Sequence, residues 1–183
     1  DKAIRFVQEQ VRYFSIAVQE NTHKPQLPEV TLERRYGDCK DKSVLLVGLL
    51  KNLGIEASPV LTATDTRWRV NRYMPSPLAF NHVIVRAVVD GKVIWIDATG
   101  THRGGRGTAI VPSDLGYGLP IREGQSALEK ISGYGEHAGR ETVLEQFTVD
   151  EKADVPLRLH VETRYTAARA DDMRANWATN SAK

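Results

Sequence analysis

The sequence predicts an α+β fold in which a central, cysteine-bearing helix packs on an antiparallel sheet, followed by the start of a β-rich domain. The stretch between Asp38 and Gly54 is apolar on nearly every side of a helix and begins with Cys39. A helix of this kind is buried in a core. Residues 80 to 99 contain two β-branched runs joined by Asp90-Gly91, a pair favoured in tight hairpin turns.

Composition excludes several classes of protein. The chain has 183 residues, 41% hydrophobic and 26% charged, with a net charge of +2, which is typical of a folded globular protein and too weak a field for nucleic acid. No apolar segment reaches the length of a membrane span, and the first residues do not resemble a signal peptide. Because the chain begins at Asp1 without an initiator methionine, we expect a piece excised from a longer protein.

The histidine and cysteine pattern predicts neither a metal site nor a cofactor. One cysteine rules out an internal disulfide and a cysteine-rich zinc site. The motif H-E-x-x-H is absent, and the five histidines lie far apart in sequence. The glycine-rich stretch GTHRGGRG lacks the pattern of a phosphate-binding loop.

The first half of the chain is predicted to alternate helix, strand and loop. Apolar residues at spacings of three and four predict a helix over residues 1–19, with the face Ile4, Val7, Val11 and Phe14. In the next helix, Asp38 is expected to be the N-cap with Asp41 at the third position, and Gly54 to end it. The stretch IEASPVLTA then predicts a strand, and TDTRWRVNRYMPSP a long loop, in which a lid rich in arginine and aromatic residues is a less favoured alternative to a solvated loop.

The hairpin places one histidine and one aspartate together. A two-residue turn at Asp90-Gly91 sets Val89 opposite Lys92, and because side chains alternate along a strand, His82 and Asp97 share a face. That face comprises His82, Ile84, Arg86, Val88, Val93, Trp95, Asp97 and Thr99. Because several of these residues are apolar, we expect the Cys39 helix to cover this face and to bring the thiol to the imidazole. The opposite face of the hairpin is predicted to lie in the hydrophobic core.

Beyond the hairpin, strands are predicted around TAIVP and GLPI, and the stretch SGYGEHAGRE predicts a linker. In the stretches TVLEQFTVD and VPLRLHVETRY, apolar and polar residues nearly alternate, which predicts antiparallel strands with one solvent-exposed face. The tail is helical in composition. We therefore expect two regions, a core over residues 1–134 and the start of a truncated β-rich domain over residues 135–183.

The candidate catalytic residues are Cys39, His82 and Asp97. A thiol attacks as thiolate, and a helix N-terminus beside an imidazolium favours that form. A base oriented by a carboxylate is the general arrangement of thiol and hydroxyl triads. The N–H of Cys39 is expected to bind the oxyanion, with Gln19 and Tyr36 as candidates for the second donor. The competing interpretations are a buried packing cysteine, a hydrogen-bonded sheet histidine and an aspartate that caps a turn.

The motifs RYGDCKDKSVLLVGLLKNLGIEASPVL, FNHVIV and WIDATG resemble the transglutaminase-like branch of the papain-type thiol enzymes, over about residues 1–125. The resemblance implies Cys39 as nucleophile, His82 as general base and acid, and Asp97 as orienting carboxylate. The proline common after the aspartate is Ala98 here. More narrowly, the chain is similar to bacterial multidomain proteins in which this core lies between uncharacterised β-rich domains, which implies export to the periplasm.

These observations favour cysteine-dependent hydrolysis or transfer of an amide acyl group through a thioester, as in peptidases, amidases and transglutaminases. The expected partner is a peptide or protein substrate with amide side chains or peptide bonds. One alternative is an inactive module that keeps the fold for peptide or cell-wall binding or assembly. Another is a redox sensor at Cys39, which would need an intermolecular disulfide because no resolving cysteine is present.

Overall fold

The structure is a computed structural model that describes residues 1–15, 23–149 and 157–180. The chain begins with helix α1, Lys2–Arg5, and a π-helical turn, Phe6–Gln10. The backbone becomes extended at Val11. The predicted helix over residues 1–19 is therefore wrong beyond residue 10 as far as the described residues extend, and residues 16–19 lie outside them.

Strand pairing ends this helix. Strand β1, Arg12–Tyr13, lies parallel to strand β2, Tyr36–Gly37. The N–H of Phe14 then donates to the carbonyl of Gly37 at 3.0 Å. Phe14 is consequently 44% exposed instead of continuing an apolar helix face. Ladder hydrogen bonds thus override the helical periodicity.

A short helix that the sequence reasoning did not predict precedes β2. Helix α2, Pro28–Arg34, has its proline at the first helical position, where the missing N–H costs no hydrogen bond. It ends at Arg35, which adopts a left-handed conformation with φ of 59°. This turn directs the chain into β2 and the start of the next helix.

Helix α3, Cys39–Asn52, confirms the central helix and its cap. The Asp38 carboxylate accepts hydrogen bonds from the N–H groups of Lys40 and Asp41, and the Asp41 carboxylate accepts from the N–H of Asp38. This reciprocal capping box satisfies donors that the first turn leaves free. Gly54, with φ of +74°, lies just beyond the helix end.

The main sheet has five antiparallel strands in the order β5-β4-β3-β6-β7. The predicted hairpin is confirmed, with Val89 opposite Lys92 across a turn in which Asp90 and Gly91 both have positive φ. The predicted strand at TAIVP is wrong, because residues 107–109 form a 3₁₀ turn and residues 110–112 are irregular. The strands are β3 Ala57–Thr62, β4 His82–Val89, β5 Lys92–Ile96, β6 Tyr117–Pro120 and β7 Glu129–Lys130.

Helix α3 covers the face of the hairpin opposite to the expected one. Its buried residues Leu45, Leu46, Val47 and Leu50 cluster with Val85, Ala87, Ile94, Ile96 and Ala98. The face of Ile84 and Trp95 packs instead with Val60, Leu115 and Ile131. The expectation that α3 lies on the Ile84 face is wrong, because chain after β5 supplies the apolar cover that this face needs.

The last elements are a separate hairpin and a helix. Strands β8, Glu141–Thr148, and β9, Arg158–Tyr165, pair antiparallel as predicted, although both of their faces are exposed here. Helix α4, Ala167–Asn180, confirms the helical tail. Its buried Asp171 accepts a hydrogen bond from the N–H of Gly104 at 2.8 Å. The division at residues 134 and 135 stays a prediction.

Candidate active site

The three predicted residues meet at one end of the sheet, not across its face. Cys39 is the first residue of α3, His82 is the first residue of β4, and Asp97 directly follows β5. Cys39 and His82 line the same cavity of about 670 Å³. The hydroxyl of Ser43, one turn after Cys39, donates to the carbonyl of Val83 at 3.0 Å. This bond fixes the start of α3 against the start of β4.

His82 and Asp97 form a hydrogen-bonded pair. The distance between His82 Nε2 and Asp97 Oδ2 is 3.0 Å, and the two side chains are only 12% and 15% exposed. The predicted hairpin register therefore places the two side chains together, because a slip of one residue would put them on opposite faces of the sheet. With Nε2 engaged by the carboxylate, Nδ1 is the ring nitrogen that is left to interact with Cys39.

Asp97 is held by more than its histidine. Its Oδ1 accepts hydrogen bonds from the N–H and the hydroxyl of Thr99 at 2.9 and 2.7 Å, and its carbonyl accepts from Gln8 Nε2 at 2.9 Å. Burial would raise the pKa of Asp97, but the hydrogen bonds from His82 and Thr99 outweigh it and lower that pKa below its ordinary value. The carboxylate is consequently ionised at neutral pH.

The electrostatics favour a charged imidazole. Burial alone would lower the pKa of His82, but hydrogen bonds to Asp97 and Cys39, together with their negative charges, raise it from 6.5 to about 10. This places the thiol within interaction distance of the ring. A cation between two acidic groups is stabilised because each interaction favours its protonated form.

Two further ionisable residues interact with the charges of the site. Lys42, one turn along α3 from Cys39, is fully buried, and its Nζ donates to the carbonyl of Val11 at 2.6 Å. Burial lowers the pKa of Lys42 to about 8, against the attraction of Asp97. Tyr13 lines the cavity, and burial followed by the negative charge of Cys39 raises its pKa.

The candidates for an oxyanion donor are only partly accounted for. Gln19 lies outside the described residues. Tyr36 packs edge-to-face on Phe14, with ring centroids 5.8 Å apart, and lines a neighbouring cavity instead of the one at Cys39. The capping box engages the N–H groups of Lys40 and Asp41, not that of Cys39. The oxyanion role of the Cys39 N–H stays a prediction.

The loop between β3 and β4 contains two 3₁₀ turns, Arg67–Arg72 and Pro77–Ala79. Trp68 donates from Nε1 to Asp114 at 2.8 Å and packs edge-to-face on Tyr117. The second turn, not the arginine-rich one, borders the cavity at Cys39.

Neither a metal cluster nor a membrane helix occurs in the described part of the chain. Across residues 1–15, 23–149 and 157–180, no three histidine, cysteine or carboxylate side chains are grouped so that they could hold a metal ion. Within the same residues, no helix is both long enough and apolar enough to cross a membrane.

Comparison with family models decides the family. The model of the transglutaminase-like superfamily matches residues 1–99, which is more than half of the chain. The chain belongs to the transglutaminase-like superfamily. The match spans α1 to the end of the β4–β5 hairpin and contains Cys39, His82 and Asp97. No curated protein matches the sequence.

Comparison with solved structures finds one protein that shares the fold and a second that is less similar. A candidate protease from Parabacteroides distasonis has a TM-score of 0.52 and 14% identity, with 82% of this chain and 30% of that chain covered. A candidate cysteine protease from Cytophaga hutchinsonii has a TM-score of 0.43 and 17% identity, with 90% and 43% covered. The chain thus spans less than half the length of either protein. At such identities the first likeness supports the fold and nothing finer.

Sequence reasoning missed three residues that support the transglutaminase-like site. Thr99 follows Asp97 by two positions, the spacing at which an aspartate often bonds to its own backbone. Gln8 is a polar residue on the otherwise apolar side of the first helix, and Lys42 interrupts the apolar α3. A polar residue at a core position usually has a specific partner, and that signal could have identified Gln8 and Lys42.

Proposed function

We propose that this transglutaminase-like chain is a cysteine-dependent acyl-transfer enzyme that uses Cys39, His82 and Asp97 as a catalytic triad. The observation that carries the proposal is the part-buried His82–Asp97 pair at 3.0 Å, whose His82 lines the same cavity as Cys39. Family membership alone does not fix a reaction. A single cysteine placed against an imidazole that a carboxylate orients supports nucleophilic catalysis over a packing role.

In the first half-reaction, the Cys39 sulfur attacks the carbonyl carbon of an amide. His82 stands protonated beside it, because its pKa is about 10, and an adjacent imidazolium favours the thiolate. The carbonyl π electrons move onto oxygen, where the N–H of Cys39 stabilises the charge. Collapse breaks the C–N bond, and His82 gives its proton to the leaving amine. The product is a thioester on Cys39.

In the second half-reaction, neutral His82 takes a proton from water as the water oxygen attacks the thioester carbonyl. The C–S bond breaks, the sulfur leaves as thiolate and the acid is released. Asp97 keeps one tautomer of His82 throughout and stabilises its charged form. Hydrolysis is favoured over cross-linking because no amine acceptor site is identified. The proposed substrate is a peptide or protein with amide side chains or peptide bonds.

The proposal is tested with p-nitrophenyl acetate, which requires only an acylated thiol. We expect a burst of one p-nitrophenolate per chain and an intact mass increased by one acetyl group. Cys39→Ala should abolish the burst, and His82→Asn should slow it by about 10³-fold or more. His160→Asn, which changes an exposed histidine on β9, is the matched control and should behave as wild type.

Two outcomes would contradict this proposal. Equal nitrophenolate release by wild type and Cys39→Ala would show that the thiol does no acyl chemistry. A burst that survives His82→Asn would show a reactive thiol without the triad. If wild type shows no burst and Cys39→Ala still binds peptides, the alternative of an inactive binding module would be favoured.

A further inference from the structure

An apolar groove continues the core face of the sheet past helix α3. The groove floor comprises Pro59, Leu61, Val83 and Ile121. In the sheet register Pro59 pairs with Val85 and Leu61 with Val83, and the N–H of Ile121 donates to the carbonyl of Pro59 at 2.7 Å. Because side chains alternate along a strand, the floor lies on the same face as Val85.

Helix α3 covers only part of that face. The Val85 end is fully buried beneath α3, whereas Pro59, Leu61 and Val83 are only half-buried and Ile121 is 49% exposed. The floor is therefore core-type surface that the described part of the chain leaves open to solvent. Covering such a surface with an apolar group is favourable, in proportion to the area removed from water.

The groove opens directly at the reactive thiol. The first turns of α3 form one wall with Cys39 and Val44, and Phe80 lies on the far side, two residues before His82. A volume of about 670 Å³ falls in the range of sites that hold a small molecule or a few residues of a peptide. A group seated on the floor would thus be adjacent to the carbonyl that Cys39 attacks.

Two polar side chains at the mouth of the groove already have partners. Asp38 caps α3 and forms an ion pair with Lys40, while Asn81 Oδ1 accepts from the N–H and hydroxyl of Thr64. Both interactions hold polar atoms that would otherwise be available to a charged ligand. The floor therefore favours an uncharged, apolar side chain.

We propose that the groove is the acyl-donor subsite and that it selects a large apolar side chain, of the leucine or phenylalanine class, next to the scissile carbonyl. The inference rests on the proposed function, because it assigns the groove to the substrate of that reaction. Discrimination by a hydrophobic pocket of this kind is roughly 10- to 100-fold in kcat/KM.

The first experiment compares p-nitrophenyl esters of N-acetyl-leucine, N-acetyl-glycine and N-acetyl-glutamate, with the rate of Cys39→Ala subtracted from each. Wild type should prefer leucine over glycine by roughly ten-fold or more. Ile121→Lys should lose this preference and gain on the glutamate ester, because it places a cation on the floor. Leu53→Lys is the matched control, since Leu53 is 67% exposed at the end of α3 and should leave the preference unchanged.

A second experiment tests the subsite without turnover. N-acetyl-leucinamide should shift the NMR methyl signals of Leu61 and Ile121, whereas N-acetyl-glycinamide should leave them in place. Absence of these shifts, or cysteine-dependent hydrolysis with equal rates on the leucine and glycine esters, would overturn the subsite. Methyl shifts without any cysteine-dependent hydrolysis would support the subsite and overturn the proposed function, so that the two failures are distinguishable.

Discussion

Replacement of Asp97 by asparagine tests the electrostatic core of the proposed site. Asp97 is the largest of the influences that raise the pKa of His82 from 6.5 to about 10. That rise corresponds to a preference for the imidazolium on the order of 4–5 kcal/mol. The asparagine side chain would keep the shape and the burial but lose the negative charge. Because burial lowers the pKa of His82, we expect that pKa to fall well below 10 in Asp97→Asn, towards its ordinary value of 6.5.

The assay is NMR titration of the imidazole protons. The chain has five histidines, and comparison with His82→Asn identifies the His82 signal. Acylation by p-nitrophenyl acetate should fall by about 10³- to 10⁴-fold, the scale expected when a triad histidine loses its orienting carboxylate. Asp114→Asn is the control, because Asp114 accepts from Trp68 away from the cavity. A His82 signal that titrates near 6.5 in wild type, or is unmoved in Asp97→Asn, would show that the Asp97 carboxylate does not hold the imidazole in its charged form.

Three further predictions concern stability. The folded-state pKa of His82 lies above its unfolded value, so the stability that the charged imidazole contributes is complete below pH 6.5 and is lost as the pH rises through about 10. The free energy of unfolding lost in His82→Asn, measured with urea, should therefore shrink over that interval. A loss that stays constant with pH would contradict this prediction. The lowered pKa of Lys42 has the opposite effect, because wild type gains stability as the pH rises from about 8 to 10.5 and the buried amine loses its charge. The free energy of unfolding of Lys42→Met relative to wild type should therefore decline by an amount on the order of 3 kcal/mol over that interval, and a constant difference would contradict the prediction. A Cβ on Gly37 would lie 2.7 Å from the Cβ of Asp41, so Gly37→Ala should lower the melting temperature and the acylation rate together. Gly135→Ala is the control, because a Cβ at Gly135 meets nothing within 4 Å, and it should leave the acylation rate unchanged.

The sequence predicted the parts of the fold that depend on local chemistry. The capping box at Asp38 and the Asp90-Gly91 turn each require particular residues at fixed spacing, and both are present in the structure. The turn fixed the hairpin register, and the register placed His82 and Asp97 on one face. These features depend on residues that are close in sequence, so a single sequence is sufficient to predict them.

The errors arose where distant segments compete. The periodicity from Ile4 to Phe14 predicted one helix, but pairing with β2 converts its second half to strand. The face covered by α3 could not be deduced from the hairpin, because both faces carry apolar residues and the cover of one comes from Leu115 and Ile131, far along the chain. The thiol still meets His82 because both lie at the end of the sheet, where the choice of face matters less.

Activation of Cys39 by the His82–Asp97 pair is tested most directly by alkylation of the thiol. Since the chain contains one cysteine, the rate of its alkylation by iodoacetamide at pH 7 reports this thiol alone. We expect a rate roughly ten-fold or more above that of a free thiol, and a return to the free-thiol rate in His82→Asn. A wild-type rate equal to that of the free thiol, or one that His82→Asn leaves unchanged, would contradict it.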